Sequence, residues 1–531
     1  MDPITLEVMK NAYLAIPDEM GSVLKRTAYS PNIKERMDAS CAIFDAEGKM
    51  IAQAEHIPVH LGSMPVAVEY IRMIYGKRGG ERLFDGDQII MNDPFKGGSH
   101  LPDITIIKPV FFKNKFVGYV VNKAHHSDIG GKSPGSMPGD STEIFQEGFR
   151  IPPVKILDKG RESREIIEII KANTRTPEER IGDIRAQLAA NNKGAQRLKG
   201  LIAKYGMKVH NRFVRSILEY SEKRMRAAIR KIPNGEYSAV DHLDDDGVRP
   251  EKVKLKVKVK VGREKIKIDF TGTSKQSLGN VNSPYSVSLS SVYYVLRCIT
   301  DPTIPPNHGC YKPLEIIIPK GTVLNPQEGA AVSAGNVETS QRIVDLLLLA
   351  FSKALPGSIP AQSQGTMNNV LIGGQGQDGD FFSYYETIAG GEGALPYRNG
   401  QSGIHTHMTN TLNTPIEALE LGYPLRIESY KLIPNSGGKG LFNGGMGVKR
   451  SIRILSDNST LSIQSDRRRI APKGLNGGGD GKKGQNYIMR NNKKIKLPSK
   501  VTYSLQKNDL IVIETPGGAG WGHSKVKRKN K

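Results

Sequence analysis

The sequence predicts a mixed α/β (α+β) chain of several sub-domains, with β-sheets, a helical module and Gly-rich loops. Three observations carry that prediction. Residues 104–122 are apolar in two runs and residues 251–270 alternate Lys with Val, Leu or Ile, both marks of strands. Residues 177–231 read as two long helices divided at Gly206. The chain of 531 residues with 57 Gly is too long for one small core and rich in turns. The expected division is an N-terminal α/β region (1–160), a helical module (161–234), a β-rich region (235–330), a Gly-rich α/β region (331–524) and a basic tail (525–531).

In chain order, residues 4–27 form an amphipathic helix with Leu6, Met9, Tyr13, Ile16, Met20 and Leu24 on one face and a kink expected at Pro17. A hairpin follows, Ser40–Asp45 with Gly48–Gln53, then a loop carrying His56 and His60 and a helix from Met64 to Tyr75. The strands 104–112 and 116–122 are joined by a turn at Lys113–Lys115, and residues 132–153 read as loop. Thr176, Pro177 and Glu179 have the spacing of a capping box with Pro at the first helical position. That helix stops at Gly206 and another runs from Val209 to Lys231. Beyond it the pattern is mainly β to about Pro326, with a helix near Val287–Ile299 and a strand at Leu314–Pro319. Asp244–Asp246 lacks the spaced ligands and Gly of a calcium loop and is expected in an exposed turn. Residues 333–355 read as a Gly-bearing turn feeding a buried helix.

Composition excludes several classes. No apolar run approaches membrane-spanning length, and the first residues have no basic stretch before an apolar core. Three Cys, none in a CxxC pair, exclude a disulfide framework and point to a reducing, cytoplasmic setting. The net charge of +23 lies largely in the Lys alternation and the tail, and no nucleic-acid motif accompanies it. Neither nucleic acid nor membrane is an expected partner. The Gly-rich stretches match no phosphate-binding loop, so the chain is not expected to hydrolyse ATP unaided. No GxSxG elbow is present.

The chemistry concentrates in residues 92–131, which hold Asp93, His100, Asp103, His125, His126 and Asp128. A tight hairpin over 104–122 brings its outer ends together, placing His100–Asp103 beside His125–Asp128. Imidazoles and carboxylates converging without thiolates suit a divalent cation such as Zn, Mn or Fe. If the chain stays extended, His126 and Asp128 face one side and His125 the other. The residues alone do not choose between the adjacent His. His56, His60 and the alternating pair His405 and His407 are further pocket candidates.

Several stretches jointly resemble one family. NDPFKGGSHLPDI, AHHSDIGG, EGFRIPP, IDFTGTSKQSLGNVN, GNVETSQRIVD, HTHMTNTLNTPIEALE and TPGGAGWG occur in order to residue 522 and are similar to hydantoinase B, the N-methylhydantoinase B/oxoprolinase family. That family includes acetone carboxylase large subunits and the C-terminal half of 5-oxoprolinase. The resemblance implies a B-type subunit in a hetero-oligomer, its ATP bound by an A-type, actin-like ATPase that phosphorylates the substrate. It implies a metal at His100, Asp103 and His125, with His126 or Asp128 as alternatives. On that footing a water acidified by the cation attacks a phosphorylated amide carbon, Asp128 or His126 serves as general base or orients the metal ligands from behind, and Asp93 orients the loop. The implied activity is ATP-coupled hydrolysis of a cyclic amide, a hydantoin or 5-oxoproline. A ketone carboxylase subunit and a non-catalytic scaffold for the A-type partner are the alternatives.

Overall fold

A computed structural model describes residues 2–54, 57–76, 82–376 and 379–524. His56 and the basic tail lie outside the described residues.

The chain opens with α1 (Pro3–Thr27), whose start is capped by the Asp2 carboxylate accepting from the Thr5 amide at 2.9 Å. Its expected apolar face is buried apart from the half-exposed Leu6, and Pro17 lies within the helix. The short α2 (Pro31–Lys34) leads into β1 (Ala39–Asp45) and β2 (Met50–Ala54), then α3 (Ser63–Tyr75) and β3 (Gln88–Met91). The central hairpin is β4 (Asp103–Phe112) and β5 (Lys115–His125), turning through Lys113 and Asn114, both at positive φ. β6 (Val154–Asp158) and β7 (Arg161–Glu162) complete a seven-stranded sheet of order β2-β1-β5-β4-β3-β6-β7. The helical module is α4 (Arg164–Ala172), α5 (Pro177–Tyr205) and α6 (Met207–Ile229). Thr176 occupies the N-cap of α5 but its hydroxyl makes no capping bond, so the expected capping box is not formed. Glu179 turns instead to Arg180.

A second sheet, order β11-β10-β9-β8, comprises β8 (Gly235–Leu243), β9 (Val253–Val261), β10 (Ile266–Asp269) and β11 (Leu314–Ile317). In β9 every Val and Leu is buried and every Lys exposed, as the alternation predicts. Between and after these strands come α7 (Tyr285–Ile299), the short α8 (His308–Tyr311) and the buried α9 (Ser340–Phe351). Asp244–Asp246 is not an exposed turn. Asp244 and Asp246 are buried, and the Asp244 carboxylate accepts the amides of Arg468, Arg469 and Ile470. Those donors lie more than 220 residues downstream, so no local pattern announces them.

The remaining elements are β12 (Asn369–Gln375), β13 (Phe381–Thr387), α10 (Ile416–Gly422), β14 (Leu425–Leu432), β15 (Val448–Ile454), β16 (Thr460–Gln464), β17 (Gln485–Arg490), β18 (Lys493–Leu497), β19 (Lys500–Ser504) and β20 (Leu510–Glu514). They form two sheets, β13-β12-β16-β19 and β14-β15-β20-β17-β18, that share an apolar layer including Val370, Ile372, Leu461, Ile452 and Ile511. The Gly-rich stretches run alongside as extended segments in backbone contact. A Cβ on Gly444 would lie 2.0 Å from the Gly518 carbonyl oxygen, and one on Gly478 2.0 Å from that of Gly520. The Gly438 amide donates to Gly518 and the Gly445 amide to Glu392, each at 2.8 Å. These glycines permit close backbone approach.

The central sheet is covered on both faces. Cys41, Ile43, Val120 and Ala124 pack against α1, α5 and α6, while Ala42, Phe44, Ile107 and Val121 face a core that includes α3, α7 and α9. No helix among the described residues is long and apolar enough to cross a membrane.

Candidate metal centre

The hairpin register builds the site. Asp103 and His125 are directly paired across β4 and β5. Both therefore point to the face that carries Ile107 and Val121. His100 comes from the loop before β4, where Gly97 takes a left-handed φ of +99°. One side-chain atom each of His100, Asp103 and His125 lies within 4.8 Å of the others, and all three residues are buried. His100 Nε2 stands 3.4 Å from Asp103 Oδ2, and His60 Nε2, at the end of a short 3-10 turn (Pro58–His60), 3.6 Å from the same oxygen.

The donor set fits a cation. Both nitrogens of His100, Nε2 of His125, Nε2 of His60 and Oδ1 of Asp103 are buried without a hydrogen-bond partner. Buried polar atoms are rarely left so, and five in one place call for a ligand. A cavity of about 20 Å³, lined in part by Asp38, His60, Asp103, His125 and Tyr385, has room for about one water or ion. Asn32 Nδ2 lies 3.0 Å from His125 Nδ1 and donates to the His125 carbonyl oxygen at 2.6 Å, while the Asn32 side-chain oxygen accepts from Arg36.

Electrostatics support an ionised Asp103. Burial alone would raise its carboxyl, but the His100 and His60 imidazoles outweigh burial and hold it well below the usual range. Ser99 donates to Asp103 Oδ2 and itself accepts from Lys123 Nζ at 3.1 Å. Lys123 is buried on the same face, held also by Ser63 at 2.9 Å, and burial lowers its ammonium to about 8 against the pull of Asp103. His125 is pushed well below the usual imidazole range, first by burial and then by His100.

Three other candidates lie elsewhere. His126 faces the opposite side of the sheet, as strand parity predicts, with Nε2 3.0 Å from Gln187 Oε1. The Asp128 carboxylate accepts from the Gly130, Gly135 and Arg175 amides and from the Arg175 guanidinium. With those four donors Asp128 holds its own loop, and neither residue is placed to act as base at the cluster. Asp93 caps the 3-10 turn Pro94–Lys96, accepting from the Phe95 amide at 3.0 Å, and so shapes the loop leading to His100.

The residue that sequence reasoning missed is Asp38. It sits just before β1, and its carbonyl accepts the His125 amide at 3.0 Å. Burial raises its carboxyl, Arg36 opposes that rise, and Asp103, His60 and His100 all act on it. Only the non-local pairing of β1 with β5 brings it there.

His405 and His407 line a separate cavity of about 560 Å³ with Tyr294 and Glu392. The same segment continues to Met408, Thr409 and Thr411, which line the small cavity. Their rings are partly exposed but their unpartnered nitrogens are closed to water, and burial lowers His405 to about 3 and His407 to about 4. His210, bonded to the Tyr13 hydroxyl at 2.6 Å, is likewise lowered by burial to about 4. A folded imidazole held below its unfolded value takes its proton later than the unfolded chain does. Stability is therefore full above about pH 6.5 and falls as pH drops toward 4, by about 2 kcal/mol at pH 5 for His210 alone. Urea midpoints at pH 7 and pH 5 should show that loss, and it should shrink in His210→Gln.

A family model described as hydantoinase B/oxoprolinase matches residues 2–524. An uncharacterized protein of Methanocaldococcus jannaschii is 45% identical across 98% of this chain and 91% of its own length. 5-Oxoprolinase 1 of Arabidopsis thaliana is 39% identical across 98% of this chain, which spans only 42% of that longer protein. Among solved structures, the ATP-dependent caprolactamase from Pseudomonas jessenii superposes with a TM-score of 0.92 at 27% identity, covering 98% of this chain and 91% of that one. A nucleotide-free acetone carboxylase gives 0.91 at 20% identity, covering 98% and 76%, a likeness of fold.

Proposed function

The chain belongs to the hydantoinase B/oxoprolinase family, and on that premise we propose that it is the B-type subunit of an ATP-dependent cyclic-amide hydrolase. It completes hydrolysis of a substrate phosphorylated by an A-type ATPase partner. The observation that supports this reading is the buried His100–Asp103–His125 group with its unpartnered ligand atoms. The likeness to a caprolactamase favours a cyclic amide.

In this reading His100, Asp103 and His125 hold a divalent cation of the Zn, Mn or Fe class. When bound, the cation would polarise the oxygen on the amide carbon and make nearby water more acidic. Asp103 contributes the fixed negative charge, and Lys123 acting through Ser99 keeps its carboxylate in place. Asp38, a buried carboxylate raised above its usual range and bordering the same cavity, takes the proton from the attacking water and returns it to the ring nitrogen as the C–N bond breaks. That leaves an acyl phosphate, which a second water hydrolyses to carboxylate and phosphate. This assigns to Asp38 the role that the family resemblance had implied for Asp128 or His126.

The test is an assay of the chain assembled with an A-type partner and ATP. Turnover of hydantoin, 5-oxoproline or caprolactam is expected, and turnover of acetone only with bicarbonate would replace this reading with a carboxylase. Asp38→Asn should lower kcat about 100- to 10,000-fold while the metal content stays unchanged. A variant with wild-type kcat would remove Asp38 from the chemistry.

A further inference from the structure

Arg36 is fully buried, and its charge opposes the rise that burial imposes on the Asp38 carboxyl. A guanidinium is costly to bury unless its donors are used. Those of Arg36 reach the Leu412 carbonyl at 3.1 Å, the Tyr385 carbonyl at 2.9 Å, the Thr387 hydroxyl at 2.9 Å and the Asn32 side-chain oxygen. Its guanidinium also lies 4.6 Å from the centre of the Tyr385 ring.

Two of these partners are the supports of one imidazole. The Tyr385 ring stacks on His125 with centroids 4.5 Å apart and planes at 14°. The Asn32 amide meets His125 at both Nδ1 (3.0 Å) and the carbonyl oxygen (2.6 Å). Asn32 comes from α2 and Tyr385 from β13, more than 350 residues later, and Arg36 bonds to both. We propose that Arg36 is a positioning residue which, by clamping Tyr385 and Asn32 together, sets the ring of His125 against His100 and Asp103. The proposal rests on the reading of those three residues as a cation site. Outer partners of a ligating imidazole fix its tautomer and orientation, and losing one costs about 10- to 100-fold in metal affinity.

The test compares the full-length wild type with Arg36→Met and Arg36→Lys. Zn(II) affinity is measured by chelator competition, and the ¹⁵N imidazole signals of His125 are recorded without metal. The Met variant should bind Zn(II) about 10- to 100-fold more weakly, with the His125 signal moved or broadened, and Lys should recover part of the loss. A folded Met variant with wild-type affinity and an unchanged His125 signal would overturn the proposal. Should the Met variant fail to fold, Asn32→Leu and Tyr385→Leu carry the same expectation, and undiminished affinity in both overturns it. If the wild type itself takes none of Zn(II), Mn(II) or Fe(II), the cation site falls, while the His125 signals still decide whether Arg36 sets that ring.

Discussion

Replacing both His100 and Asp103 with Ala should abolish metal binding and lower activity with the A-type partner by about 1,000-fold or more, the equivalent of about 4 kcal/mol of barrier. Two of the three candidate ligands are lost, and His125 alone cannot hold a cation against water. Elemental analysis should show about one equivalent of Zn, Mn or Fe in the wild type and none in the variant. Folding is the necessary control, because removing Asp103 leaves Lys123 Nζ with only the Ser63 and Ser99 hydroxyls. Far-UV circular dichroism should match the wild type. Asp103→Asn, which keeps the shape and an acceptor for Ser99, should lose metal with less disturbance. A double variant that retains full activity would end the metal reading.

The second large effect concerns stability. Arg342 on α9 is fully buried, 2.9 Å from Asp466, 3.3 Å from Asp345 and 3.4 Å from Asp241. Arg467 joins the group at 2.6 Å from Asp345. The cluster ties β8, α9 and the segment after β16 together. Burial pushes the Asp345 and Asp466 carboxyls up, and the Arg342 guanidinium opposes that rise in both. Arg342→Met would leave those carboxylates short of a cation inside the protein, an arrangement that costs about 3–5 kcal/mol. Urea unfolding should show a loss of that size. A loss below about 1 kcal/mol would mean that water reaches the cluster.

The central hairpin was legible because strands announce themselves by period and its turn is short. Hairpin closure placed His100–Asp103 beside His125, and parity separated His125 from His126. What parity required was that the chain stay extended to residue 125, and pairing with Asp103 keeps it so. Asp38 and Arg36 were not legible, since each reaches the site through partners far along the chain, on β5, β13 and Leu412. Asp128 had the right chemistry in the right stretch, yet three backbone amides and Arg175 claim it. Neighbouring amides compete for any carboxylate on a tight loop, and spacing does not reveal which will win. The capping box failed for a similar reason, with Glu179 drawn to Arg180.

The glycine segments bear on the order in which the molecule is assembled. Gly518 and Gly520 lie between backbone strands at residues 391–393, 438–445 and 478–479. All of those are synthesised earlier. Residues 1–515 hold every helix and strand among the described residues, but their glycine segments lack the strip that fills the space between them. Residues 516–522 occupy that space, and a side chain at Gly518 or Gly520 would run into the carbonyls of Glu392 and Lys439 there. A fragment of residues 1–515, which keeps β20, should therefore be cut readily by protease in its glycine segments, and one of residues 1–524 should resist.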